Sequence, residues 1–256
     1  MIITMVQVQV LMLIVARILG LMVEVPIFSD RTISKSFKMA FIFTFAFLLW
    51  FVVPFNADLL PKQPELYILS LVNEFMIGFM LASVVRIIFE GVEAAGDLMG
   101  SQMGLSVASM LDPSTGAQTT VTAKIFRWII IILFLSIDGH HFILTALYRS
   151  FDILPMLNSW NIGAGCMEIA NLGANIFAIA IQLSAPILLV IFLLDFCFGL
   201  ISRVAPQVNV FQLGFQVKPA LGMMVLLLMI PLLMERVLWL INMMIEKLSV
   251  ILFYMR

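Results

Sequence analysis

Long apolar runs, separated by short polar or proline-containing connections, make up most of the chain. A helix needs about 20 mainly apolar residues to cross the hydrocarbon core of a bilayer. In that core the backbone is satisfied only within helices or closed barrels. The pattern therefore predicts five or six membrane-spanning helices. The runs cover residues 3–28, 39–55, 66–89, 125–148, 169–194 and 219–245.

Two of these runs depart from a simple span. The third lies in a stretch without proline from residue 65 to 111, which predicts one long or broken helix that exceeds one membrane thickness. The fourth carries Asp138, His140 and His141 near its middle and is predicted as a short span or a bent hairpin. The predicted fold is an all-α polytopic membrane protein of long, partly broken helices and helical hairpins.

The composition excludes several functional classes. Hydrophobic residues make up 63% of the chain and charged residues 11%, against about 25% charged residues in soluble domains. The net charge of −1 provides no basic surface for nucleic acid. The sequence contains no GxSxG, HExxH, Walker or GxGxxG motif, so we expect no enzyme and no cofactor. Adjacent His140 and His141 would point about 100° apart on a helix, so we also expect no metal site.

Ionisable residues within the apolar runs favour two different interpretations. Such residues are expensive in a membrane and mark either transport pathways or surfaces that face other protein. Glu74, Asp138 and Asp195 could serve an ion-coupled secondary transporter, the alternative function. That class predicts inverted repeats, and the sequence shows no internal repeat.

The end of the third predicted helix carries a series of small residues at every fourth position. Such a stripe lets a second helix approach closely. Glu90, Glu93 and Asp97 precede and overlap it on one helical face, which requires water or a cationic partner. The predicted packing residues are Gly96, Gly100, Gly104 and Ala108.

Two polar insertions follow. The first, residues 109–122, consists of turn formers and small hydroxyl-bearing residues. The second begins at Arg203 and leads into the uncharged stretch 208–217, which Pro206 and Pro219 bracket. This stretch is unusually apolar for a loop, so we expect it to dock on another surface.

These segments and their neighbours contain an ordered series of motifs, which are Ala95-Gly96, Gln102 to Ser106, Asp112-Pro113, Asp138-Gly139-His140, Ser150-Phe151, Leu154-Pro155, Arg203 to Phe211, Gly214-Phe215 and Lys218. Together they closely resemble the flagellar biosynthetic protein FliR family, the flagellar branch of the type III secretion export-gate T component. Gln216 departs from the family, which usually has proline after Gly-Phe.

This resemblance implies a division of the chain and a set of site residues. Residues 1–202 would form a FliP-like helical part with a pore loop at 109–122, and residues 203–256 a connecting segment and a FliQ-like C-terminal helical part. The implied pore-plug residues are Met110, Asp112, Pro113, Ser114, Thr115, Gly116 and Gln118. The implied subunit-contact residues are Arg203, Pro206, Gln207, Asn209, Gly214, Phe215 and Lys218.

The resemblance also implies a function without catalysis. The chain would be a subunit of the flagellar type III export gate, assembling with FliP and FliQ homologues and contacting FlhB and FlhA. Unfolded flagellar proteins would pass through the resulting channel. The implied location is the bacterial inner membrane, as a multi-pass protein of the flagellar basal body.

Overall fold

A computed structural model of the protein describes residues 5–29, 33–55, 60–106, 119–158 and 160–256. Over these residues the secondary structure is helical throughout, without a strand. The helices, in chain order, are α1 (Met5–Glu24), α2 (Pro26–Ser29), α3 (Lys35–Val52), α4 (Pro64–Gln102), α5 (Val121–Ser136), α6 (Gly139–Ile153), α7 (Ile162–Val204) and α8 (Val210–Met255).

The helix lengths confirm the predicted all-α polytopic membrane class. Helices α1, α3, α4, α7 and α8 are each long and apolar enough to cross a membrane. The pair α5 and α6 qualifies together as a bent span, with its break at Ile137 and Asp138. The long third run is one uninterrupted helix of 39 residues.

The last helix begins nine residues before the predicted start of its run. The side-chain Oδ1 of Asn209 accepts the backbone N–H of Gln212 at 3.2 Å, an N-cap that starts α8 at Val210. Pro219 lies inside the helix rather than at its start. The expectation of an apolar loop at 208–217 is therefore wrong, because Asn209 supplies a capping acceptor ten residues before the proline.

The chain forms two compact units, and α4, α7 and α8 each contribute to both. Unit 1 comprises Met1–Ile88, Asp138–Gly173 and Asn242–Arg256, and unit 2 comprises Phe89–Ile137 and Ala174–Ile241.

Helices α1 and α4 approach each other closely in unit 1. A Cβ atom added at Gly20 would overlap the backbone of Phe75, and one at Gly78 would overlap the backbone carbonyl of Arg17. Glycine is required at this crossing because backbone atoms, which cannot move aside as a side chain does, occupy the space.

A buried polar network lies beside this crossing. Arg17 is fully buried, and its guanidinium donates to Glu74 at 2.6 Å, to the Ser150 hydroxyl at 3.0 Å and to the Leu154 carbonyl at 3.0 Å. The guanidinium carbon lies 4.1 Å from the ring centroid of Phe151. Buried charge is stable only when it is paired and hydrogen-bonded, so the network holds α1, α4 and the end of α6 in one arrangement.

Candidate functional site

Unit 2 contains a cavity of about 520 Å³ that joins two of the motif segments. The end of α4 and the turn after it contribute Gln102, Gly104 and Ser106. The first turns of α8 contribute Phe211 and Phe215. Sequence analysis had placed these segments in separate roles, whereas the fold brings them to one cavity.

The cavity combines an aromatic wall with one ion pair. The rings of Phe211 and Phe215 meet edge to face with centroids 4.8 Å apart. Lys218 Nζ lies 2.5 Å from Asp195 Oδ1, and both side chains are partly exposed. The described lining residues include neither histidine nor cysteine. This arrangement suits the binding of a largely apolar segment.

Gly104 was predicted to pack against a second helix, but in the structure it ends α4. Its φ is +81°, and an added Cβ would meet nothing within 4 Å. Leu105 N–H donates to the Gly100 carbonyl at 2.9 Å and Gly104 N–H to the Ser101 carbonyl at 3.0 Å. These bonds define a Schellman motif with Gly104 at C′. The predicted four-turn stripe is wrong here because the helix has ended, and Ala108 lies outside the described residues.

The two earlier glycines of the stripe lie against the start of α5. A Cβ at Gly96 would be 2.9 Å from both the Ala123 Cα and the Thr122 carbonyl oxygen. A Cβ at Gly100 would overlap the hydroxyl groups of Thr120 and Thr122. The closest approach of α4 and α5 therefore depends on the absence of side chains at these two positions.

Polar contacts connect the same two helices. Thr120 caps α5, since its hydroxyl accepts the Ala123 N–H at 3.3 Å, and its own N–H donates to Asp97 at 3.0 Å. Arg127 lies 3.8 Å from Glu93. The acidic face of α4 thus has a cationic neighbour within unit 2.

The predicted pore-plug residues lie outside the part of the chain that the structure describes, which resumes at Thr119. The last two positions of the predicted loop, Val121 and Thr122, belong to α5 because Thr120 provides its N-cap. The plug residues concerned are Met110, Asp112, Pro113, Ser114, Thr115, Gly116 and Gln118.

The predicted subunit-contact residues divide into three groups. Arg203, Pro206 and Gln207 are exposed at or beside the turn between α7 and α8. Asn209 caps α8, as described above. The remaining residues belong to the cavity of unit 2, and they are Gly214, Phe215 and Lys218.

The carboxylates of the alternative transporter function have different neighbours. Glu74 pairs with Arg17 in the buried network of unit 1. Asp195 pairs with Lys218 at the cavity of unit 2. Asp138 lies at the break between α5 and α6, 3.6 Å from His141 Nδ1.

Sequence analysis missed several glycines with close contacts, among them Gly20, Gly78 and Gly222. Gly20 and Gly78 mark the crossing of α1 and α4, and Gly222 in α8 lies against Met103, with an added Cβ 2.6 Å from its Cγ. Isolated glycines inside helical patterns were the available signal. The helices that these glycines contact could not be predicted, because the sequence does not specify which helices meet.

These features define a polytopic, all-helical membrane protein with a cavity suited to binding. The family of bacterial export proteins, family 1, matches residues 8–244, so the chain belongs to that family. The match confirms the resemblance that the sequence motifs indicated.

Individual relatives support the same assignment. The chain is 31% identical to the flagellar biosynthetic protein FliR of Pectobacterium carotovorum subsp. carotovorum, over 84% of this chain and 82% of the relative. It is 29% identical to FliR of Bacillus subtilis, over 84% of each chain. Surface presentation of antigens protein SpaR of Shigella flexneri is 26% identical, over 82% of this chain and 80% of the relative.

Proposed function

We propose that the chain is a non-enzymatic subunit of the flagellar type III export gate in the bacterial inner membrane, at the flagellar basal body. It assembles with FliP and FliQ homologues, contacts FlhB and FlhA, and forms part of the channel for unfolded flagellar proteins. Family membership supports a role in export. The assembly itself is inferred from the extent of the exposed apolar surface.

The apolar surface of the two longest helices is too long for lipid alone to cover. On α7, exposed apolar side chains extend from Met167 to Val204, and on α8 from Phe211 to Phe253. At 1.5 Å per residue these stretches run for about 56 and 63 Å along the helices. The hydrocarbon core of a bilayer is about 30 Å thick. Extended apolar patches outside it are typical of protein contacts, so partner subunits would cover the remainder.

Copurification tests this assembly. The full chain, with an affinity tag, is coexpressed with the FliP and FliQ homologues of the same bacterium, extracted in mild detergent and analysed by native mass spectrometry. We expect a hetero-oligomer that contains all three proteins. A stable monomer with no copurifying partner would contradict the proposal.

Charged substitutions at the two ends of α8 test whether partner subunits cover its exposed apolar side chains. Phe211 and Phe253 lie in the first and last turns of α8 and are 76% and 73% exposed. About 63 Å of helical path separates them, which is more than the roughly 30 Å of one hydrocarbon core. We expect both Phe211→Glu and Phe253→Glu to lower partner yield, because each would place a charge in an apolar contact. Gln212→Glu, which adds the same charge at a neighbouring exposed position, is the control. Unchanged partner yield in both phenylalanine variants would count against partner coverage.

We further propose that the part of the predicted loop before α5, residues 109–120, helps to close the channel, as the resemblance implies. We also propose that exposed Arg203, Pro206 and Gln207 contact neighbouring subunits. Since Thr120 caps α5, a deletion should stop before it. Removing residues 113–118 should let small ions leak through the assembled gate. A tight membrane containing the assembled deletion variant would refute the plug.

We also propose that the aromatic wall of the cavity, formed by Phe211 and Phe215, is a docking surface for neighbouring subunits. In the predicted division this wall belongs to the connecting segment that begins at residue 203. Gly214 leaves room there, because its nearest neighbours to an added Cβ are Lys218 Cε at 3.8 Å and Phe198 at 4.0 Å. Gly214→Leu would fill this space. We expect reduced partner yield from that variant, while unchanged yield would exclude the cavity from the interface.

A further inference from the structure

Three potential metal ligands lie together at the break between α5 and α6. Asp138, His140 and His141 each offer one ligand atom, and these atoms all lie within 4.8 Å of one another. The two imidazole rings have centroids 4.2 Å apart. His141 Nδ1 is 3.6 Å from Asp138 Oδ1. The prediction of no metal site considered only the backbone directions of two adjacent helical residues. His140 and His141 do both lie in α6, but their side-chain conformations bring the two rings together.

The backbone at the break orients the carboxylate away from the usual capping role. Asp138 occupies the N-cap position of α6 with a left-handed φ of 56°, and its side chain makes no capping hydrogen bond. An aspartate at this position ordinarily accepts a backbone N–H from the first helical turn. Its side chain is 71% exposed, so the described part of the chain leaves its oxygens uncovered.

One imidazole nitrogen supplies an independent observation. The Nδ1 atom of His140 is buried and has no hydrogen-bond partner among the described residues. A buried polar atom without a partner is unfavourable, and coordination would supply the missing interaction. His141, in contrast, is 70% exposed and can rotate.

We propose that Asp138, His140 and His141 bind a divalent transition metal ion of the Zn²⁺ type. Imidazole and carboxylate together suit Zn²⁺, Ni²⁺ and Cu²⁺. Bonds of about 2.1 Å in tetrahedral geometry place ligand atoms roughly 3.4 Å apart. The aspartate and His141 atoms are close to that spacing, and exposed side-chain rotation closes the remaining gap. A fourth position stays open for water or a group from another protein.

The composition of the chain makes this site unusually easy to test. The two histidines are the only ones in the sequence, so any imidazole-dependent binding reports on this cluster. The full chain is purified in detergent with a histidine-free tag and titrated with Zn²⁺ by calorimetry. Absorption of bound Co²⁺ reports the ligand environment separately. We expect one ion per chain, bound in both measurements.

Matched variants assign the ligands. Asp138→Asn keeps a residue that tolerates left-handed backbone but removes the anionic ligand, and it should weaken Zn²⁺ binding by roughly tenfold or more. His140→Gln and His141→Gln should each abolish the Co²⁺ spectrum. The control, with Ser at both exposed cysteines Cys166 and Cys197, should bind normally. Helical content and elution volume confirm that each variant is folded.

Two results would overturn the proposal. One is the absence of Zn²⁺ binding to the folded wild-type chain. The other is equal affinity in wild type and the folded His141→Gln variant, which would place binding elsewhere. Neither result depends on copurification of partners, so this inference and the proposed export function can fail separately.

Discussion

The buried pair of Arg17 and Glu74 provides a double-mutant cycle with a predicted order of severity. Glu74→Leu leaves a guanidinium in a fully buried position, and arginine cannot become neutral in a protein. Arg17→Met leaves a carboxyl group, which can become neutral by binding a proton. We therefore expect Glu74→Leu to be the more destabilising single substitution.

Because the pair is buried, each single substitution should cost a large part of the unfolding free energy. Removing one partner of a buried ion pair typically costs 3–5 kcal/mol of unfolding free energy. Glu74→Leu should lie near the upper end and Arg17→Met near about 3 kcal/mol. The double variant removes both charges. Replacing a buried pair by apolar residues is often close to neutral, so the double variant should be more stable than Glu74→Leu alone.

Thermal unfolding of the purified chain in detergent, followed by circular dichroism, measures these differences. For a chain of this size about 1 kcal/mol shifts the midpoint by roughly 2–4 °C, so Glu74→Leu should lower it by roughly 10–20 °C. Arg86 and Glu24 form a matched control pair, since they also join α4 to α1 but Arg86 is 47% exposed. Glu24→Gln should cost at most about 1 kcal/mol.

Either of two outcomes would refute this reasoning. The first is a loss from Glu74→Leu that is no greater than the loss from Glu24→Gln, because burial would then add nothing to the pair. The second is additivity in the double variant, which would mean that Arg17 and Glu74 do not interact in the folded protein.

Two further predictions concern glycines. Gly96→Ala should destabilise the chain by about 1–3 kcal/mol, because its Cβ would press on the backbone of α5. Gly199→Ala should be neutral or stabilising by about 1 kcal/mol, because nothing lies within 4 Å of the added Cβ. Equal thermal unfolding midpoints for Gly96→Ala and Gly199→Ala would contradict the close packing at Gly96. Gly104→Ala should cost about 1–2 kcal/mol through its left-handed backbone, and Gly104→Asn less. If thermal unfolding shows equal losses in both Gly104 variants, backbone conformation is not the cause.

The helical membrane class could be predicted from sequence because it depends on local hydrophobicity. An apolar run long enough to cross a bilayer is recognisable without knowledge of its neighbours. The uninterrupted α4 follows from the absence of proline in residues 65–102. The ionisable groups Arg17 and Glu74 were also recognisable as unusual, although their pairing was not, because 57 residues separate them.

The errors arose where two local signals competed. Before α8, Pro206 and Pro219 suggested a loop, yet Asn209 supplies a cap and the helix accommodates Pro219. At the end of α4, Gly104 continued a regular spacing of small residues, yet its left-handed conformation ends the helix. Spacing alone does not distinguish a packing glycine from a C-terminal one. That Gln102 and Phe215 line the same cavity could not be predicted without the tertiary fold.

The distribution of charge indicates how the proposed partners would be recognised. On the two long helices, Glu168 pairs with Lys247 in unit 1, and Asp195 pairs with Lys218 in unit 2. Charges that neutralise each other within the chain contribute little to attraction between chains. Between them, α7 and α8 expose large apolar side chains over more than one membrane thickness. Assembly of the proposed gate would therefore depend largely on shape and apolar packing, with exposed Arg203 among its few charged contacts. The low charged fraction of the chain suits a protein enclosed by other subunits as well as by lipid.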